Sequence, residues 1–282
     1  MHKIVDKERL NEEMTRIEVE APLVANKIKA GQFIVIRMHE KGERIPLTYY
    51  KKDVDKGTVQ MIFQKVGKST HELDSYEIGD ELLDVVGPMG KPAEIKKYGT
   101  VICIGGGVGT PEVFPVANAL SEADNEVIVI SGFRTKDLVI CEDEFDKRCA
   151  NEIYITTDDG TYGREGFTSD MLKEIIEERE GDIDLVHTVG PPIMMKVICD
   201  ITREYNIPTK VSLNSIMLDA TGMCGSCRVR VGGEMKLACI DGPEFDGHNV
   251  DFEELLQRIT MFEKQEEKAL ERWKEEHEGC CE

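Results

Sequence analysis

The sequence predicts an α+β multidomain fold in three parts: an N-terminal antiparallel β-barrel, an α/β doubly wound parallel-sheet domain, and a small C-terminal segment carrying cysteines. One change of texture predicts the first two parts. Residues 1–96 alternate short β-branched runs with glycine breaks, whereas from residue 97 apolar strands alternate with helical stretches. The third part follows from "LDATGMCGSCRVRVGGEMKLAC", residues 218–239. There Cys224, Cys227 and Cys239 stand among glycines in a stretch too short to fold without a cross-link.

In the first part, "TRIEVEAP", "GQFIVIRMH", "GTVQMIFQKVG" and "GDELLDVVGPMG" alternate with period two between turn signals, and no long helix interrupts them. Residues 97–214 read as strand and helix in turn. "GTVICIGGGVG" runs into "TPEVFPVANALSEA", a helix expected to begin near Pro111. "NEVIVISGF", "NEIYITTDDG", "DIDLVHTVG" and "PTKVSLN" are further strands, and "CEDEFDKRCA", "TSDMLKEIIEERE" and "PPIMMKVICDITREYN" are the helices between them. Residues 215–250 form the cysteine segment. Residues 251–282 carry Phe252, Leu255, Leu256, Ile259 and Phe262 at helical spacing, which predicts one amphipathic helix followed by an acidic tail.

Charge excludes one class of partner. The chain of 282 residues has a formal net charge of −20, so its overall field repels nucleic acid. No stretch approaches the apolar length of a membrane span and the start lacks a secretory pattern, so the expectation is a cytoplasmic protein with no membrane partner. Of nine cysteines, Cys103, Cys141, Cys149 and Cys199 lie singly in apolar or helical contexts and are expected as reduced thiols. Cys280 and Cys281 belong to the tail. His187, inside a strand, is expected to be a satisfied core or edge histidine.

Candidate binding residues gather at turns. Gly105, Gly106, Gly107 and Gly109 stand where a strand meets a helix, which lets a backbone approach a pyrophosphate and offers it the helix N-terminus. "TTDDGTYG" and "VGPP" end two further strands, the edge at which open parallel sheets bind ligands. In the barrel, Arg44 can hold a phosphate, Thr48 can offer a hydroxyl to a ring nitrogen, and Gly67, Ser69 and Thr70 suit a second phosphate contact.

Taken in order, "RIPLT", "GKST", "VGPMG", "GGGVGTP", "SGFRTKD", "TTDDGTYGREGF" and "VGPP" resemble the ferredoxin reductase superfamily. More narrowly, residues 5–247 are similar to the iron–sulfur electron-transfer subunits of dihydroorotate dehydrogenase and their relatives among electron-bifurcating transhydrogenases. The resemblance implies FAD between barrel and sheet. Arg44, Pro46, Leu47, Thr48, Gly67, Ser69, Thr70, Gly87 and Gly90 fall on its side, and Gly105, Gly106, Gly107, Gly109, Thr110, Pro111, Arg134, Asp158, Asp159, Gly190, Pro191 and Pro192 on that of NAD(H). Two positions depart from the pattern: Ile45 replaces an arginine, with Arg44 one place earlier, and Val189 replaces a cysteine.

In the dihydroorotate-type subunits a [2Fe-2S] cluster takes a cysteine five residues ahead of a Cys-x-x-Cys pair and another about a dozen residues after it. Counted here, the register implies Asp219, Cys224, Cys227 and Cys239 as ligands, with one carboxylate for thiolate. The same three cysteines and carboxylate also suit zinc. The resemblance therefore implies an oxidoreductase subunit that exchanges hydride between NAD(P)(H) and FAD and passes single electrons through the cluster. Its partner would be a larger flavin and [4Fe-4S] protein similar to the glutamate synthase small subunit, the pair coupling NADPH oxidation to reduction of NAD and ferredoxin. Two alternatives stand beside it: the dihydroorotate dehydrogenase subunit itself, against which Asp219 argues, and a zinc-stapled nucleotide-binding subunit without turnover.

Overall fold

The structure, a computed structural model, describes residues 1–180 and 182–277. Strands β1 (His2–Arg9), β2 (Met14–Glu20), β3 (Phe33–Arg37), β4 (Ile45–Asp53), β5 (Thr58–Gln64), β6 (Glu81–Leu82) and β7 (Asp84–Met89) form a sheet ordered β6-β1-β2-β5-β4-β3-β7. Helices α1 (Pro22–Ala25) and α2 (Lys68–Ser75) sit in its connections. Every pairing is antiparallel, and register shifts in β1, β3 and β4 add the local twist that curls the sheet into a nearly closed barrel. Alternation decides what faces where. Ile17, Val19, Met61 and Phe63 fill the barrel, while Met14 and Ile62, on the opposite face of the same strands, join the core of the next domain.

That domain follows as β8 (Thr100–Gly106), α3 (Gly109–Glu122), β9 (Glu126–Phe133), α4 (Glu142–Arg148), β10 (Glu152–Thr157), β11 (Arg164–Glu165), α5 (Thr168–Glu178), β12 (Leu185–Val189), α6 (Pro192–Glu204) and β13 (Thr209–Ser212). Val101 and Cys103 of β8 pack with α3 and α4 on one face, and Ile102 and Ile104 pack with α5 and α6 on the other. Both faces are buried, which is why the strand reads as an unbroken apolar run. The chain then leaves for a hairpin, β14 (Arg228–Val231) and β15 (Glu234–Leu237), and a turn of helix, α7 (Ala238–Asp241). It returns as β16 (Glu244–Asp246), antiparallel to β13, completing the order β11-β10-β9-β8-β12-β13-β16.

Two expectations need correction. The helix after the glycine turn begins at Gly109, before Pro111, because amides in a first helical turn have no intrahelical acceptor and proline there costs no hydrogen bond. The expected single C-terminal helix is two: α8 (Phe252–Ile259) and α9 (Glu263–His277), separated by Thr260, Met261 and Phe262. Phe252 and Leu255 pack into the cysteine segment's core, whereas Trp273 lies against His71 of α2, so one straight helix would not serve both surfaces. Cys103, Cys141, Cys149 and Cys199 are free thiols, as expected. Cys280 and Cys281 lie outside the described residues. His187 is buried with Nε2 3.0 Å from Glu244 Oε2, tying β12 to β16, but its Nδ1 has no partner among the described residues.

Candidate active site

The carboxyl edge of the parallel sheet opens into a cleft of about 710 Å³. Gly106, Gly107, Gly109, Arg134, Asp158, Gly190, Pro191 and Pro192 all line it, so three predicted strand ends converge as expected. Gly105, Gly106 and Gly109 leave no room for a side chain, and Gly107 is set by its backbone conformation. A Cβ on Gly109 would lie 2.2 Å from the Val189 carbonyl oxygen, while Gly107 adopts φ +56° and faces open space. Gly105, Thr110 and Pro111 stand behind the wall, buried in the strand-to-helix junction. Asp159 turns away, its carboxylate accepting from Thr161 N at 3.0 Å and Thr161 Oγ1 at 2.7 Å.

Other lining residues gave no signal in the sequence. Glu13 and Gln64 reach the cleft from the barrel, and Glu112 enters from the first turn of α3. Burial pushes the Glu112 carboxyl up to about 7. A carboxylate just after a glycine turn is visible in the sequence, but its desolvation is set by the packing around it.

The barrel offers a second surface. Arg44 is exposed just before β4, and Pro46, Leu47 and Thr48 follow it half-buried along the strand. Ser69 donates to Glu43, which brings the N-terminus of α2 beside this strand. Thr70 Oγ1 accepts from Val66 N at 3.0 Å and Gly67 N at 3.2 Å, closing the turn that starts α2. Gly87 and Gly90 have packing reasons of their own. A Cβ on Gly87 would meet Ile34 Cγ2 at 2.9 Å, and one on Gly90 would meet Pro243 Cδ at 2.8 Å.

In the cysteine segment the hairpin and α7 fold back so that Cys227 Sγ and Cys239 Sγ are 3.2 Å apart and buried. Burial and the neighbouring thiol push Cys239 up to about 12. Cys224 is exposed, with Sγ 3.1 Å from Ser226 Oγ, and that hydrogen bond holds its thiol below the ordinary range. Asp219 Oδ1 accepts from Thr221 N at 2.8 Å, which with the adjacent Cys224 lowers its carboxyl. The ligand candidates thus stand as two pairs. Among the described residues no three or more His, Cys, Asp or Glu side chains gather tightly enough to hold one metal ion.

Comparison with known proteins now bears on both surfaces. Residues 1–93 match the oxidoreductase FAD-binding domain, and residues 214–251 match the iron–sulfur cluster binding domain of dihydroorotate dehydrogenase B. The dihydroorotate dehydrogenase B (NAD(+)) electron transfer subunit homolog of Thermotoga maritima is 45% identical over 97% of this chain and 95% of its own length. The chain belongs to the family of dihydroorotate dehydrogenase B electron-transfer subunits and their homologues. A solved chain of the NADH-dependent reduced ferredoxin–NADP oxidoreductase, a structure that gave insights into flavin-based electron bifurcation, is 44% identical. It covers 97% of this chain and 98% of its own, with a TM-score of 0.91. The ferredoxin reductase in carbazole 1,9a-dioxygenase covers 73% of this chain and 65% of its own at 19% identity and TM-score 0.61, a likeness of fold.

As a member of this family the chain is a flavin and iron–sulfur oxidoreductase, and its residues suit those groups. Two thiolates bound at about 2.3 Å to one tetrahedral metal stand about 3.8 Å apart, so Cys227 and Cys239 need only a small opening to share an ion. Asp219 and Cys224 form the second pair. Two pairs suit a cluster of two irons, each taking two protein ligands. On the barrel, the exposed Arg44 guanidinium and the α2 N-terminus suit phosphates, and the half-buried Pro46–Thr48 run suits the edge of a ring.

Proposed function

We propose that this chain is the electron-transfer subunit of an electron-bifurcating oxidoreductase. It binds NAD(H) in the cleft, FAD along β4 and α2, and a [2Fe-2S] cluster between Asp219, Cys224, Cys227 and Cys239. The observation that carries this reading is the 44% identity, along 97% of the chain, to the NADH-dependent reduced ferredoxin–NADP oxidoreductase. FAD, when bound, takes an electron pair as hydride and gives up electrons singly, which joins a nicotinamide to a cluster.

The protein's own work is positioning. Gly106, Gly107 and Gly109 and the first turn of α3 hold the pyrophosphate by backbone amides and helix dipole. Gly190, Pro191 and Pro192 back the nicotinamide, and Arg134 and Asp158 flank the adenosine ribose. Arg44 and the α2 N-terminus take the FAD phosphates, and Pro46, Leu47 and Thr48 line its ring.

The partner in this reading is a larger flavin and [4Fe-4S] subunit similar to the glutamate synthase small subunit, through which NADPH oxidation reduces both NAD and ferredoxin. Leu218, Met223, Met235 and Ile240 are exposed around the cysteine segment, which supports a docked protein there. No helix among the described residues is long and apolar enough to cross a membrane, in accord with a cytoplasmic location.

Anaerobic purification with any co-purifying subunit tests the reading. The expected result is flavin, with about two irons and two labile sulfides per chain, and a paramagnetic signal on reduction with NADH. Stoichiometric zinc without labile sulfide would favour the zinc-stapled alternative. Reduction by dihydroorotate would favour the dihydroorotate dehydrogenase assignment.

A further inference from the structure

The hairpin joining β1 to β2 belongs to the barrel, yet its Glu13 reaches the parallel sheet's cleft. There it forms an ion pair with Arg134, at the end of β9. The other carboxylate oxygen accepts from Gln64 Nε2 at 2.7 Å. The backbone is fixed as well: Glu13 N donates to Asn11 Oδ1 at 2.9 Å, and Lys65 N donates to Glu13 O at 2.8 Å. Glu13 is therefore presented to Arg134 from a held position.

The sheet order locates this pair along a bound nucleotide, on the reading of the cleft given above. β9 and β10 lie on one side of β8 and its glycine turn, and β12 with Gly190–Pro192 lies on the other. With the pyrophosphate at the turn and the nicotinamide at β12, the adenosine ribose falls between Arg134 and Asp158. Among the described residues lining the cleft, Arg134 is the single cation, against the carboxylates of Glu13 and Asp158. A 2′-phosphate binds chiefly to arginine, whereas a 2′-hydroxyl donates to a carboxylate.

We propose that Glu13 selects the nucleotide bearing a 2′-hydroxyl by occupying Arg134 and adding its charge to that of Asp158. This acidic determinant comes from the barrel and not from the strand that carries the ribose-binding edge. A 2′-phosphate must displace Glu13 from Arg134 and then sit between two carboxylates. The hydroxyl form displaces nothing.

The test is calorimetric titration of the separately expressed full chain with NAD+ and with NADP+. Glu13→Gln keeps the Gln64 contact and releases Arg134. It is expected to tighten NADP+ relative to NAD+ by about tenfold or more, the worth of a charge-assisted hydrogen bond. Arg134→Met in that background is expected to abolish the gain, while the same change in the parent chain alters NADP+ binding by about threefold or less. An unchanged ratio, an equal tightening of both nucleotides, or a gain that survives Arg134→Met would each overturn the proposal. An unaltered denaturation midpoint in Glu13→Gln shows that the fold is intact. If the parent chain binds neither nucleotide, the reading of the cleft itself fails, and with it this inference.

Discussion

Glutamine in place of Glu112 isolates a cleft group whose charge the fold opposes. Glu112 sits in the first turn of α3, where the helix dipole favours a carboxylate by about 0.3–1 kcal/mol. Burial outweighs that and raises its pKa from 4.5 to about 7. The folded chain thus holds a proton that the unfolded chain releases. Stability from this group is fully present below pH 4.5 and is lost as pH rises through about 7. A gap of about 2.5 units corresponds to at most about 3 kcal/mol once both states are ionised. Glutamine keeps the shape and does not titrate. Urea denaturation from pH 5 to 8.5 is therefore expected to show Glu112→Gln gaining on the parent chain as pH rises, by up to about 3 kcal/mol, with most of the change between pH 5 and 8. NAD+ affinity of the parent should weaken across the same window, as a carboxylate appears beside the pyrophosphate, and that of the variant should not. A constant difference in stability, or one that grows towards acid, would refute the argument that burial keeps this carboxyl neutral.

Three further perturbations address the other surfaces. Gly109→Ala places a methyl 2.2 Å from the Val189 carbonyl oxygen, about 1 Å closer than an ordinary carbon–oxygen contact. It should cost about 1–3 kcal/mol by denaturation and weaken nucleotide binding, and unchanged stability would mean the turn is looser than its geometry. Thr70→Ala removes the acceptor for two amides at the start of α2 and should lower stability by about 1 kcal/mol in the same assay. Asp219→Ala should change iron content or the low-temperature resonance of the reduced chain, and an intact spectrum would remove Asp219 from the ligand set.

The sequence showed whatever repeats along it. Strand alternation gave the barrel, and the unbroken apolar run of β8 gave a sheet covered on both faces. Gly109 marked the turn because the end of β12 leaves no room for a side chain, Gly106 because Met194 and Pro191 crowd it, and Gly107 because its φ of +56° favours glycine. Hidden features depended on contacts between distant segments. Glu13 is an ordinary hairpin acid until β9 is laid beside it, 121 residues away. The break after Ile259 reflects two docking surfaces, one on the cysteine segment and one on α2, and the uninterrupted helical spacing of its apolar residues gave no sign of either. Gly87 and Gly90 are ambiguous in the sequence, since close packing, which the structure shows at both, and close approach to a ligand demand the same residue.

The cysteine segment looked too short to fold without a cross-link, and the structure shows where its packing comes from. Cys227, Cys239 and Val229 share one core with Phe33 and Val35 of the barrel and with Met195 and Cys199 of α6. Lys91 N donates to Gly242 O at 2.6 Å, and Gly90 closes against Pro243, so barrel backbone and segment backbone touch directly. The buried cysteine pair therefore shares its core with residues of β3, next to the strand that carries Pro46, Leu47 and Thr48. Cys224 and Asp219 lie on the outer side of the loop, beside the exposed Leu218 and Met223. Held this way, the segment has one inner pair of ligand candidates packed against the flavin domain and one outer pair open to solvent. Rigid packing fixes the inner separation, so any adjustment on docking a partner falls to the outer pair, where few apolar contacts resist it.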